Sequence, residues 1–204
     1  MVNNEKRFVN ILKVLGIDPG LRGGLAFLNV AGEIDLYPMP TIADKDYDIQ
    51  EIKRLLRQYS PSLAIIEQQI ALPGQGLTST LQTGKGFGIL LGLMAALEIP
   101  HQVVGAKAWQ SKLFTGVKAD YDTKAKSEII AKRLFPSADF RKSDRARVAS
   151  DGLTDAACIA EYARRLYTGN GVSIEKQVDH IPMEGNEDIC KKCGDFIPAS
   201  PTCH

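Results

Sequence analysis

The chain has 204 residues, 44% of them hydrophobic and 24% charged, with a formal net charge of +1. That composition fits a globular protein with chain enough for one substantial domain and a small appendage. It excludes a membrane span, since no stretch approaches the roughly 18 apolar residues a bilayer takes, and the first ten residues lack the apolar core of a signal peptide, so a cytosolic protein is expected. The charge is unevenly spread: Lys107 to Arg147 holds 11 Lys/Arg against 5 Asp/Glu, and Gly169 to His204 holds 3 Lys against 6 Asp/Glu. A basic segment in a near-neutral chain is either a patch for a polyanion or a solvated helix face.

Residues 1–13 read as a polar leader. The run VLGID then climbs to a single carboxylate, Asp18, and the Pro19-Gly20 turn leads into Leu25-Ala26-Phe27-Leu28, the pattern of a buried strand, a tight turn and a returning strand. Strands are expected over 14–18, 24–29 and 33–38, with Ala31-Gly32 as the second turn. Over 49–58, Ile49, Ile52, Leu55 and Leu56 share one helical face, and Pro61 stops that helix. Leu63 to Glu67 is a short apolar strand ending in a second carboxylate.

A Gly/Pro loop over 71–77 precedes a long, very apolar helix over 78–97 that carries Gly84, Gly86, Gly88 and Gly92. Its GKGFG run lacks the GxxxxGK[ST] spacing of a phosphate-binding loop and lies inside the helix pattern, so that reading is set aside. Val103-Val104 reads as a strand, 106–114 and 124–135 as helices, and 141–150 as a basic loop. Residues 151–167 form an amphipathic helix with Leu153, Ala156, Ala157, Ile159 and Ala160 toward the core. Strands first, then strand–helix alternation, predict an α/β fold with a mixed five-stranded sheet flanked by helices. Residues 14–168 make one domain, and 169–204 an acidic tail without a packed core.

The chemistry lies in acids that close apolar elements. A carboxylate there is costly unless paired or metal-bound, so Asp18 is either a structural anomaly or one corner of a metal site. Glu67 ends a strand in the same way, and Asp151 and Asp155 sit one turn apart on one face of the last helix. Singly, each has a plain structural reading: Asp151 as a first-turn acid favoured by the helix dipole, Glu67 as a strand end meeting solvent. Together they fit a hard-cation site, since hard cations prefer oxygen ligands.

The strand followed by IDPG, the strand ending in IEQ, the helix with spaced glycines and the final DxxxDAxxIAxY helix resemble the RuvC-type Holliday-junction resolvases, from about Val14 to Tyr167. The resemblance implies a ribonuclease H-like fold. It implies a catalytic, metal-binding set of Asp18, Glu67, Asp151 and Asp155 that holds two Mg²⁺ ions, with Mn²⁺ as a substitute. It further implies cleavage of four-way DNA junctions in recombination and repair, by a homodimer whose interface is the glycine-bearing helix, in a bacterial cell or a phage-infected host. Bacterial members space the last two acids by three residues; the four-residue spacing and the Asp151-Gly152 opening are shared with phage and chloroplast members. Lys107 lies near a position whose lysine contacts DNA in the family, and Lys126 resembles a second such position; the alternative for both is a solvated helix lysine. Gln68 to Gln75 correspond to the segment that reaches into the junction centre, with Gln68 as a strand contact. Ile70 stands where an aromatic wedge is common; aliphatic wedges also unstack bases. Arg145 and Arg147, with Arg141 and Lys142, form a loop before Asp151 that suits a DNA strand, or else a solvated loop.

Cys190-Lys-Lys-Cys193-Gly resembles half a zinc knuckle, which Cys203 and His204 would complete, with His180 as a further candidate; the alternative is a tail with free thiols. Cys158 reads as a small buried core residue. Three other functions stay open. One is a related nuclease for other branched nucleic acids, and another a non-catalytic junction-binding protein. The third is an actin-like ATPase, although 204 residues cannot hold its two domains.

Overall fold

The computed structural model describes residues 13–71 and 74–169. The expected leader, apart from Lys13, and the expected zinc ligands Cys190, Cys193, Cys203 and His204, with His180, lie outside the described residues.

Strands β1 (Lys13–Asp18), β2 (Gly24–Asn29) and β3 (Ile34–Pro38) form an antiparallel meander. β4 (Thr41–Ile42) and β5 (Asp46–Tyr47) pair in a separate two-stranded ribbon. Helix α1 (Ile49–Tyr59) starts at Asp48, whose carboxylate accepts from the Glu51 N–H at 3.0 Å, and ends where Ser60 turns left-handed ahead of Pro61. β6 (Leu63–Glu67) follows, then α2 (Leu77–Ala96), β7 (His101–Val104) and α3 (Ala106–Leu113). α4 (Thr123–Leu134) is capped by Asp122 through the Ala125 N–H, and α5 (Asp151–Gly169) is the last described element.

The main sheet has the order β3-β2-β1-β6-β7, with β6 and β7 parallel to β1. This is the expected mixed five-stranded sheet. The side-chain alternation of its strands divides the core in two. On one face Val14, Ala26, Leu28 and Ile65 pack with Trp109, Leu113, Ile130 and the inner residues of α5. On the other, Leu15, Ile17, Ala64 and Ile66 pack with Ile52, Leu55 and Leu56 of α1 and with Leu90 and Met94 of α2.

Three details differ from the sequence reading. The β4–β5 ribbon was not expected: two residues per strand are too few for an alternating pattern to register. Ile49 does not join the apolar face of α1 but lies 40% exposed in its first turn. α5 is more than amphipathic. Every residue from Gly152 to Glu161 except Asp155 is buried, because α5 lies between the sheet and helices α3 and α4.

Candidate active site

β1 and β6 run parallel and in register from Val14–Leu63 to Ile17–Ile66. Asp18 and Glu67 therefore close neighbouring strands at the same level, about one strand spacing (roughly 4.8 Å) apart. By the two-residue alternation both point to the face that holds Val14 and Ile65, which is the face of α5.

Two glycines set α5 against that face. A Cβ on Gly16 would lie 2.2 Å from the Ala160 backbone nitrogen and 2.3 Å from the Ala156 carbonyl oxygen. The helix backbone thus rests directly on β1. Gly152 does the same at the helix start, where a Cβ would lie 2.2 Å from the Arg22 carbonyl oxygen. The Asp-Gly opening of α5 is in this respect a packing requirement: it lets the first turn settle on the loop between β1 and β2 and brings Asp155 up to the two strand ends. That loop has its own support, since the Gly20 N–H donates to the Tyr47 hydroxyl at 2.7 Å.

The acids repel one another in a poorly solvated place. Burial pushes the Asp18 carboxyl well above the usual carboxylate range, and Asp155, Glu67 and Asp151 add to the shift in that order. Glu67 is raised by burial and by Asp155, against the pull of the Trp109 N–H, which donates to Glu67 Oε2 at 3.1 Å. Asp155 is raised by burial and Asp151, against Ser127 and Lys124. The Ser127 hydroxyl lies near enough to favour the Asp155 anion, yet neither Ser127 Oγ nor Asp155 Oδ1 completes a hydrogen bond. A buried carboxylate oxygen with no partner is costly and calls for one. Asp151 differs from these three: its side chain is 56% exposed and ion-paired to Lys124 Nζ at 2.6 Å.

No protein-family model matches the chain. The crossover junction endodeoxyribonuclease RuvC of Gluconobacter oxydans is 28% identical over 163 residues, which cover 74% of this chain and 92% of that protein. The RuvC of Gluconacetobacter diazotrophicus is 29% identical over 163 residues with the same coverage, and that of Nitrobacter hamburgensis 26% over 162 residues, covering 71% and 89%. The chain is thus similar in sequence to RuvC-type resolvases along most of their length. The solved structure of Thermus thermophilus RuvC has the same fold, with a TM-score of 0.53 at 19% identity over 78% of this chain and 97% of that one. T. thermophilus RuvC in complex with a Holliday junction substrate gives 0.52 at 18% identity, over 78% and 96%.

In this chain Asp18, Glu67 and Asp155 are brought together and Asp151 stands at their rim. The donor set fits a hard divalent cation. It offers oxygens only, and burial together with neighbouring acids raises the proton affinity of Asp18, Glu67 and Asp155. Among the described residues no three Asp, Glu, His or Cys side chains are gathered tightly enough to hold an ion as they stand.

The other expected contacts are more dispersed. Gln68 is exposed just beyond Glu67, with its backbone N–H on the Val104 carbonyl. Ile70 is 62% exposed beside a shallow cavity of about 140 Å³ whose far wall is Thr80, Thr83, Gly84 and Phe87 of α2. Lys107 is exposed in the first turn of α3. Lys126 donates to the Ala119 carbonyl at 3.1 Å, an exposed contact. Arg145 and Arg147 are exposed, whereas Arg141 is held by Asp139 and Lys142 lies 3.4 Å from Asp44. Cys158 is buried, as expected.

Sequence reasoning missed Lys124, Trp109, Tyr47 and Ser127. Lys124 stands in the same run as Lys126, and it is Lys124 that pairs with Asp151 of α5. The other three act through contacts 27 or more residues away in the chain or, for Ser127, through burial beside Asp155. The local pattern carried no signal for them.

Proposed function

We propose that this chain is a divalent-metal-dependent endonuclease that resolves four-way DNA junctions by hydrolysing phosphodiester bonds. The observation that carries this reading is the meeting of Asp18 and Glu67, at the ends of two parallel neighbouring strands, with Asp155 of α5 in a poorly solvated place. Asp18, Glu67 and Asp155 hold the cations, and Asp151 joins them on releasing Lys124. Mg²⁺ is the ion of choice, two to a site, and Mn²⁺ replaces it. Bound there, the ions supply an activated water and offset the charge on the leaving oxygen. Lys107, Lys126, Arg145 and Arg147 meet phosphates, Gln68 and Ile70 meet the junction strands, and Lys124 is freed to do the same.

Paired cuts need two such sites, so the working form is a homodimer. The outer face of α2 supports this, since among the described residues a Cβ on Gly84, Gly88 or Gly92 would meet nothing within 4 Å, and Leu77 and Leu81 are 86% and 71% exposed. The four-residue spacing of Asp151 and Asp155 supports placement in the phage and chloroplast branch. Among the described residues no helix is long and apolar enough to cross a membrane, in keeping with a cytoplasmic enzyme. Cys190, Cys193, Cys203 and His204 are proposed as a structural zinc site, which metal analysis of the protein with and without residues 185–204 checks.

The decisive experiment is cleavage of a synthetic four-way junction in Mg²⁺ by the wild type and by Glu67→Gln. The variant is expected to lose about 10²- to 10³-fold in rate, the range for removing an electrostatic group from an active site. Equal rates would sink the assignment. Tight junction binding without cleavage in Mg²⁺ or Mn²⁺ would favour a binding protein.

A further inference from the structure

We infer that Trp109 is a positioning residue, whose buried indole N–H anchors one oxygen of Glu67 and so presents the other oxygen to the cation. The inference rests on the proposed function, in which Glu67 is a metal ligand.

The geometry follows from the way α3 leaves the sheet. β7 lies parallel to β6 with Val104 opposite Glu67. The chain turns at Gly105 and starts α3 at Ala106, so Trp109 comes around one helical turn later, over the end of β6. Its ring is 1% exposed and set in the core on the α5 face. Phe114 meets it edge to face, with centroids 5.6 Å apart and planes at 85°. A ring held in this way has no freedom to redirect its N–H, and the N–H is a donor with no other use. It donates to Glu67 Oε2 at 3.1 Å, the single hydrogen bond of that side chain among the described residues.

The bond serves two ends. It meets the polar need of the indole in an apolar core, and it fixes a carboxylate that would otherwise rotate about its last torsion. A neutral donor does this without the charge that a lysine or arginine would bring into competition with a cation. Partners that orient a metal ligand typically change metal affinity by about 10- to 100-fold when removed.

Trp109 is the only tryptophan of the chain, so it also reports on its own environment. The experiment uses the full-length protein, freed of metal with chelator, and titrates Mn²⁺, whose unpaired electrons quench a nearby indole. In the wild type we expect saturable quenching with the same midpoint as Mn²⁺ binding measured by calorimetry. Trp109→Phe keeps an aromatic ring without the N–H and is expected to weaken Mn²⁺ binding about 10-fold by calorimetry. Should that variant not fold, replacement of the single tryptophan by 3-benzothienylalanine, which has sulfur in place of the N–H, makes the same change with the ring shape kept. Mn²⁺ affinity within twofold of wild type in either substituted protein would overturn the inference. So would Mn²⁺ binding with no quenching. If the wild type binds no Mn²⁺, or Glu67→Gln binds it equally well, the role of Glu67 itself falls, and the failure is that of the proposed function.

Discussion

Helices α5 and α2 pack on opposite faces of the same sheet and are both associated with glycine, but to opposite effect. At α5 the glycines are filled by backbone: Gly16 lies under Ala156 and Ala160, Gly24 faces the Gly152 carbonyl, and Gly152 presses on Arg22 and Gly23. At α2 only Gly86 is covered, by the Tyr47 ring, while Gly84, Gly88 and Gly92 face open space. A glycine costs conformational entropy wherever it stands in a helix or strand. Around α5 that cost is offset within the chain by a close approach that seats Asp155. Along the outer face of α2 nothing among the described residues offsets it. The glycines around α5 help seat the site; three of the four on α2 leave an exposed face.

The sharpest way to break the comparison is Gly16→Ala. A methyl group 2.2 Å from a backbone nitrogen must push α5 off the sheet. The expected loss is more than about 3 kcal/mol in urea unfolding, at the upper end for an overpacked core. A change below 1 kcal/mol would show that α5 is not seated as described.

The acids gathered by α5 give a second, smaller effect. In metal-free protein the Asp18 carboxyl is raised in the folded state by burial and then by Asp155, Glu67 and Asp151. The folded state therefore holds this proton more tightly than the unfolded state does. The penalty is absent below the unfolded value of about 3.9, grows as the pH rises toward the raised folded value, and is complete above it. Asp18→Asn removes it. In EDTA at neutral pH the variant is expected to be more stable than wild type by on the order of 1 kcal/mol. The gap should close as the pH falls to 4, as read by thermal melts across pH. A gap that does not vary with pH would mean that Asp18 is not held among like charges.

Tyr47 touches both regions, by its hydroxyl at the Gly20 turn and by its ring at Gly86 of α2. Tyr47→Phe keeps the ring and loses the bond, for an expected cost of about 1 kcal/mol. Equal urea midpoints for the two proteins would remove the turn's support from the account.

The smallest effect is expected at Gly88→Ala, where an added methyl group meets nothing within 4 Å. It should stabilise the separate chain by about 0.5–1 kcal/mol through helix propensity. If α2 is the dimer face, the same change weakens self-association in sedimentation velocity. Undiminished association would place the interface elsewhere.

Much of this was legible in the chain itself. Asp18 and Glu67 each close an apolar strand, and only a strand buried on both faces reads as such a continuous run. Asp151 and Asp155 fall one turn apart by simple helical spacing. Neither pattern shows that these two acids differ, since burial and ion pairing depend on what lies across from them. Lys124 takes Asp151 out into solvent, whereas Asp155 is turned inward beside Ser127. The two-residue strands of the β4–β5 ribbon were too short to read, and with them the role of Tyr47.

The sequence by itself determined the elements and their order, because apolar periodicity, capping residues and turn residues act within a few positions of one another. It also determined which acids had no plain reason to stand where they do. The tertiary structure decided which of those acids meet, how closely α5 rests on β1, and that Trp109 bonds to Glu67. Those outcomes depend on contacts between residues that are far apart in the chain, and on single atoms such as the Cβ that Gly16 lacks, for which no local pattern leaves a trace.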